Sequence, residues 1–414
     1  MKKIFYIVLV CVLCGCEDRL EEIHRYARFY SLTKDYPIYL DASEIVVDIE
    51  VTKPVQPQAP FKIVSNGSYL FVGEKMKGIH VYEINGNPLC FIECKHLKAF
   101  DVAKNLLYCN NFVDLLVVDV EQPQQATIKQ RVKEYFNNYK ENNLNLSVTT
   151  QAATGKKLYV IGYKQVVITG TETHKDPPPD FSEYDEIYGN LIVKEIPESL
   201  RVDKPCVGIA NIEGDIFTLG FDFIVQCSYE SGVLQFFKPA MENPVPNTSY
   251  YRTMPYTGFH YKDGMTYLMI QYGFAYWGYN ASWGRYWSYP NVSHTLLDIT
   301  PLKKWESGHV ILSDLYVEVT TFMMGSFNHY YAPSQGATSM ININDTILAL
   351  GAQLALYQFI IKGYDYNSSS LELWLNYPNI SGTSMLKEGN NLIVAGKQGI
   401  SFYDISDLRK IKKR

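Results

Sequence analysis

Charge is scarce in this chain, and positive charge is not in excess. Only 20% of the 414 residues are Asp, Glu, Lys or Arg, and 38 basic residues face 43 acidic ones. A nucleic-acid scaffold needs a basic face, so a formal net charge of −5 argues against that partner. Cysteine is sparse too. Beyond residue 16 only Cys90, Cys94, Cys109, Cys206 and Cys227 remain, an odd set that cannot all pair within the chain. Cys90 and Cys94 stand in a strand-like stretch, about 13 Å apart at ~3.3 Å per residue, whereas a disulfide needs Cα atoms within ~7 Å. They read as small buried hydrophobes. No Cys-x-x-Cys pair follows residue 16, so no zinc site is expected, and no other metal or cofactor. Signatures of catalysis are missing as well. There is no Gly-x-Ser-x-Gly, no His-Glu-x-x-His, no phosphate-cradling Gly-x-x-x-x-Gly-Lys-Ser/Thr, and no Gly-x-Gly-x-x-Gly after a strand. No catalytic residue is assigned. Apolar and aromatic residues are plentiful, at 47% and 14%, which excludes a disordered chain.

Long hydrophobic runs are absent except at the amino end. Ile4–Leu13 is too short for a membrane-spanning helix, which takes about 20 residues. With Lys2 and Lys3 before it, the run reads as the h-region of a secretory signal. It ends in Leu13-Cys14-Gly15-Cys16, which resembles a bacterial lipobox. The resemblance implies cleavage after Gly15 and a diacylglycerol on Cys16. The acyl chains then anchor the protein, each buried CH₂ contributing ~0.8 kcal/mol. The expected organisation is a signal peptide over 1–15, a tether over 16–36 and one β domain over 37–414. Glu17 and Asp18 resemble the surface-export signal of Bacteroidetes lipoproteins, against the plainer reading of a solvated tether.

A repeat runs through the remainder. Tyr69-Leu70-Phe71-Val72 is followed by Val81-Tyr82-Glu83-Ile84, and Leu106-Leu107-Tyr108-Cys109 by Val117-Val118-Asp119-Val120. Lys157-Leu158-Tyr159-Val160 precedes Val166-Val167-Ile168, Thr346-Ile347-Leu348-Ala349 precedes Leu356-Tyr357-Gln358-Phe359, and Asn391-Leu392-Ile393-Val394 precedes Phe402-Tyr403-Asp404-Ile405. Each pair reads as a β-hairpin. Asp215-Ile216-Phe217 and Thr266-Tyr267-Leu268 read as further first strands. The second residues of these first strands are 37, 51, 58, 51, 80 and 45 apart, and the step of 80 has room for one more unit near Val310-Ile311-Leu312. Periods of about 40–50 residues, each worth four short strands, predict an all-β propeller of seven or eight blades, seven preferred. Glu44–Ile49 is expected to pair with the last blade and close the ring, removing exposed edges.

Pro37-Ile38-Tyr39, Lys77-Gly78-Ile79-His80-Val81 and Asp114-Leu115-Leu116-Val117-Val118-Asp119-Val120 resemble the LVIVD-repeat lipoproteins of Bacteroidetes. The likeness spans roughly 37–123 and returns at 391–408. It implies a β-propeller on the outer membrane of a Gram-negative bacterium, facing the periplasm or the outside, and brings no catalytic residues.

Four features remain to be weighed. Residues 121–147 are rich in Gln and Asn, with Ile128, Val132, Tyr135 and Phe136 at helical spacing, which predicts a short amphipathic helix; 171–190 reads as an exposed loop. Glu83, Asp119 and Asp404 recur at one place in the repeat, where turn-capping is the simpler reading than a ring of carboxylates around a cation. The eight histidines show no tight metal spacing; His294 and Asp298 are four apart, and His80 reads as a satisfied buried or channel-facing imidazole. Finally, residues 267–289 hold three of the five tryptophans among many tyrosines. Such rings offer flat apolar faces with polar handles, suited to sugars or a protein partner, though blade core is the plainer use. Tyr276, Trp277, Trp283 and Trp287 are the candidate ligand-binding residues. The function expected is a non-catalytic recognition or scaffold module for a protein or glycan, tethered through Cys16. The rival is a glycan hydrolase working at the propeller channel.

Overall fold

The computed structural model describes residues 28–41, 48–133 save 112, 135–136, 149–151, 157–172, 206–220, 224–237, 256–270 save 263, 273–278, 285–288, 296–302, 308–323, 326–360 and 369–414. The chain divides into two compact units, Met1–Ala42 with Thr149–Ile196, and Ser43–Val148 with Pro197–Arg414.

In the first unit Arg28–Asp41 runs antiparallel to Lys157–Glu172, with Thr149–Gln151 on the far side of the latter. Residues 28–36 of the expected tether are thus part of a long strand. The runs at 157–160 and 166–168, expected to form a hairpin, lie on one continuous strand. Gly162 and the polar Lys164-Gln165 lie between them, and a long upstream partner carries the ladder past both, with one bulge between Ile38 and Tyr39, from Arg28↔Glu172 to Asp41↔Leu158.

The second unit is a seven-bladed β-propeller. Its described residues form seven antiparallel sheets whose first strands are Pro60–Ser65, Phe100–Ala103, Cys206–Ile212, Tyr256–Lys262, Leu296–Pro301, Ser339–Ile343 and Ser384–Glu388. We number the blades 1–7 in that order. Each first strand touches that of the next blade, and Ser384–Glu388 returns to Pro60–Ser65, so these strands ring a central axis. The apolar runs found in the sequence are the second strands, not the innermost ones. Second and third strands are covered on both sides and read as continuous hydrophobic stretches. In blade 2, Leu116 and Val118 pack against blade 1 while Leu115 and Val117 pack against blade 3. Innermost strands carry polar residues toward the axis and give a weaker signal. Val310-Ile311-Leu312 does mark a blade, the fifth, and its gain offsets the loss of 157–168 from the count.

Tight turns close several hairpins. Glu213-Gly214, Ser231-Gly232 and Asn344-Asp345 all have positive φ at both positions, the twist that two-residue hairpins favour.

Two sequence expectations change here. Over 44–47 the expected closing segment lies outside the described residues, but the strand that follows, Glu50–Thr52, pairs with Pro88–Glu93 as a fifth strand of blade 1. Blade 7 is built from one continuous stretch. Its seam with blade 1 is sealed by packing of Ile393 and Ala395 on Ile63, Leu70, Val72 and Tyr82. Thr383 Oγ1 donates to the Pro60 carbonyl across it, and Gln56 Nε2 to that of Lys397. Likewise Thr127–Val132 is the outer strand of blade 2 rather than the start of a helix. A bulge between Ile128 and Gln130 turns Ile128 toward blade 1 and Val132 toward blade 3, so the helical spacing of the two comes from a broken strand alternation. Tyr135 stacks on Phe236 at 5.1 Å, and Phe136 is buried; 134, 137–147 and all of 173–190 lie outside the described residues.

Candidate functional site

The channel is where a propeller most readily places chemistry, and its charged groups are arranged in two clasps. Lys62 of blade 1 donates to Asp101 Oδ2 of blade 2 at 2.7 Å, to the Phe100 carbonyl at 2.8 Å and to the Ile209 carbonyl of blade 3 at 3.1 Å. Three blades on, Lys262 of blade 4 donates to both oxygens of Asp298 of blade 5, at 2.7 and 2.6 Å, and to the Met340 carbonyl of blade 6 at 2.7 Å. In each clasp the aspartate also accepts the N–H of the residue after it, Val102 or Ile299. Asp298 accepts the Met340 N–H besides. An ammonium has three donors, and both lysines spend all three on neighbouring blades. The clasps are therefore staples through blades 1–2–3 and 4–5–6. His260 Nδ1 lies 3.5 Å from Asp298 Oδ1. Burial pushes this imidazole down to about 4; Asp298 opposes that shift, while the Lys262 and Lys62 ammonium groups reinforce it.

The residues singled out in the sequence fall elsewhere. Tyr276 and Trp277 are on the third strand of blade 4, Gly273–Gly278, and Trp287 is on its outer strand, Arg285–Ser288; Trp283 and Cys16 lie outside the described residues. Pairing of Tyr276 with Tyr267 and Arg285, and of Phe274 with Met269 and Trp287, puts positions 276 and 287 on one face of that sheet. Position 277 belongs to the other face by alternation. The set is thus split between two faces on the rim side of the blade. His80 is buried and satisfied, with Nε2 3.0 Å from Glu74 Oε2 and Nδ1 3.2 Å from the Val55 carbonyl, on the third strand of blade 1. Asp298 serves the Lys262 clasp; His294 is outside the described residues. The recurrent acids cap turns. Asp119 accepts the Glu121 N–H and Asp404 the Ser406 N–H, both at 3.0 Å or less, and Glu83 holds the side-chain amides of Asn85 and Asn87. Cys90, Cys94, Cys109 and Cys227 are buried and form no disulfide.

The outer half of blade 5 carries a cluster that the sequence reading missed. On Tyr316–Met323 and Ser326–Pro333, Glu318 pairs with Tyr331 and Thr320 with His329. Val317, Val319 and Ala332 pack toward blade 6, so Tyr316, Glu318, Thr320, His329 and Tyr331 share the opposite face. Ile311, in the same row as Glu318, packs there with Tyr267 and Met269 of blade 4. Glu318 is buried; its Oε1 lies 2.7 Å from His329 Nδ1 and accepts Thr320 Oγ1 at 2.9 Å. Tyr331 stacks near-parallel on His329 and meets Tyr316 edge-on at 6.0 Å. Burial, and then the Glu318 charge, raise its phenol above the usual tyrosine value. Leu315, Tyr316 and Tyr331 are 50%, 39% and 54% exposed, apolar side chains on the same strands as the buried Glu318 carboxylate and the exposed His329 imidazole bound to it. The alternation Tyr316-x-Glu318-x-Thr320 and His329-x-Tyr331 was a readable signal once both runs are taken as paired strands.

No family model matches the chain, and no curated protein matches it. Among solved structures it is similar to a chain of the mitotic checkpoint complex, at 10% identity over 91% of this chain and 94% of that one, with a TM-score of 0.49. It is also similar to the β-propeller domain of Cps50 (Swd1) from Myceliophteria thermophila, at 7% identity over 86% of this chain and 100% of that one, TM-score 0.45. A third is the extracellular domain of a one-component system from B. thetaiotaomicron, at 10% identity over 86% of this chain and 40% of that one, TM-score 0.43.

Proposed function

We propose that this protein is a non-catalytic recognition module of the bacterial cell envelope, held to the outer membrane by a lipid on Cys16 and binding a glycan or protein through the outer half of blade 5. The observation that carries the reading is the exposed Leu315–Tyr316–Tyr331 surface beside the Glu318–His329 pair. Flat rings give apolar contact at low entropic cost, and the adjoining polar groups fix orientation. The side of blade 4 that meets this face holds Tyr267, with position 276 paired to it and position 285 paired to 276. The tether and the envelope location rest on Lys2, Lys3, the apolar run to Leu13 and the Gly15-Cys16 ending, together with the LVIVD-like stretches. A hydrolase at the channel is the weaker reading, because Asp101 and Asp298 would each have to leave a lysine that staples the ring.

The test is a binding screen of glycans and envelope extracts, repeated with Tyr331→Ala and Tyr316→Ala. Truncating an aromatic anchor costs ~2 kcal/mol, about thirtyfold in affinity. Unchanged binding with an intact fold removes this face from consideration. Cell fractionation of Cys16→Ala tests the anchor: tight membrane retention overturns it.

A further inference from the structure

A cavity of about 880 Å³ opens along the seam between blades 6 and 7, on the loops leading into their innermost strands and the turns joining their second and third strands. It lies apart from the blade 5 face and bears on a different ligand. Its wall holds two ammonium groups, Lys397 and Lys413, and none of the described residues lining it is acidic. In a chain where acids outnumber bases, 43 to 38, that is a local reversal of sign. Neither lysine has an ion-pair partner among the described residues. Asn379, Ser381, Gln398 and Ser401 line it as well.

The chemistry of this wall selects a ligand class. Amide and hydroxyl side chains both donate and accept, which matches a ligand whose own groups do both, as sugar hydroxyls do. The lysines only donate and call for anionic groups. Tyr377 and Tyr403 add apolar surface; the Tyr377 hydroxyl is tied to the Leu408 carbonyl at 2.6 Å, which holds its ring in place. The spacing of the charges is set by the strand. Lys397 sits in the Gly396–Gly399 turn and Lys413 pairs with Tyr403, four residues along from Gly399. At ~3.3 Å per residue the two backbone positions are about 13 Å apart, a span that a short oligosaccharide covers. Backbone closure behind the cavity is tight, since a Cβ on Gly351 would meet the Gly336 carbonyl oxygen at 2.3 Å. We propose that this cavity binds a short acidic saccharide, with carboxylates at Lys397 and Lys413 and hydroxyls on the amide and hydroxyl groups of its wall.

The experiment is calorimetric titration of the full chain with trigalacturonate, alongside maltotriose, triglutamate and sodium sulfate. Trigalacturonate is expected to bind. Lys397→Gln and Lys413→Gln are each expected to weaken it about tenfold, the scale of one hydrogen bond to a charged group, and the double variant to abolish it. Both side chains are exposed, so melting temperatures should not move. Maltotriose should bind at least about tenfold more weakly. The proposal fails if trigalacturonate does not bind or if binding survives the double substitution. It fails equally if triglutamate binds as well, which leaves charge alone, or if sulfate displaces the saccharide completely, which leaves an adventitious ion only. A null result at the blade 5 face has no bearing on these outcomes.

Discussion

Asp298→Asn is the sharpest test of the ring's construction. The wild-type carboxylate receives Lys262 on both oxygens and the main-chain N–H groups of Ile299 and Met340, each at 2.9 Å. An amide of the same shape offers one acceptor and turns two donors toward a site already crowded with donors. At least one buried N–H then loses its partner, and Lys262 keeps one side-chain oxygen and the Met340 carbonyl. A hydrogen bond to a charged group contributes ~1.5–3 kcal/mol, and breaking a buried pair by removing one partner costs ~3–5 kcal/mol. The lysine side chain is 25% exposed, so water recovers part of the ion-pair term. We expect a net loss of ~3 kcal/mol. At ~2.1 cal/mol/K per residue, a unit the size of this propeller should melt about 4 °C lower. Lys262→Met leaves both N–H bonds to Asp298 intact and should cost less. The double variant should cost less than the sum of the single ones, because the two groups act on one another. Scanning calorimetry with far-UV circular dichroism reads all three. An Asp298→Asn protein that melts within 1 °C of wild type, roughly the resolution of ~0.7 kcal/mol, would refute the staple.

Stability should fall with acid in a window set by two histidines. Burial pushes His260 down to about 4 and His309 to about 3, against 6.5 for the free group. The unfolded chain therefore binds more protons between pH 6.5 and 4, and stability drops as pH falls through that range. His309→Gln should flatten the melting-temperature profile there, and an unchanged slope contradicts the assignment. Gly351→Ala should lower the melting temperature clearly, since its Cβ meets backbone that cannot yield, the Gly336 carbonyl oxygen at 2.3 Å; an unshifted transition excludes that close approach. Burial raises the Cys90 and Cys227 thiols to about 11, so both should resist a maleimide at pH 8 until the protein is denatured. Rapid labelling of either in the native state would show that its burial is wrong.

Much of the fold was legible because it is written locally. Strands buried on both faces must be apolar throughout, so Leu70, Leu107, Ile216, Tyr267, Ile347 and Leu392 announced their blades from nearest neighbours alone. Asp119 and Asp404 cap turns two residues on, and the thiols sit in apolar runs; both follow from a few adjacent residues. What tertiary structure decided depends on partners far away in the chain. Whether 157–172 makes a hairpin or one long strand turns on Arg28–Asp41, which alternation within the segment does not reveal. The clasps join residues 36, 39, 78 and 147 positions apart, and a lysine on a short polar strand carries no mark of the carboxylate it will meet. The aromatic segment of blade 4 announced its composition, and alternation sets position 276 against 277, but only the register put position 287 with 276. The sequence by itself therefore determined the blades, through alternation and turn chemistry that each hairpin satisfies alone. The ring, its staples and its candidate surfaces were decided by how seven such sheets pack around one axis, where the contacts that matter join different blades.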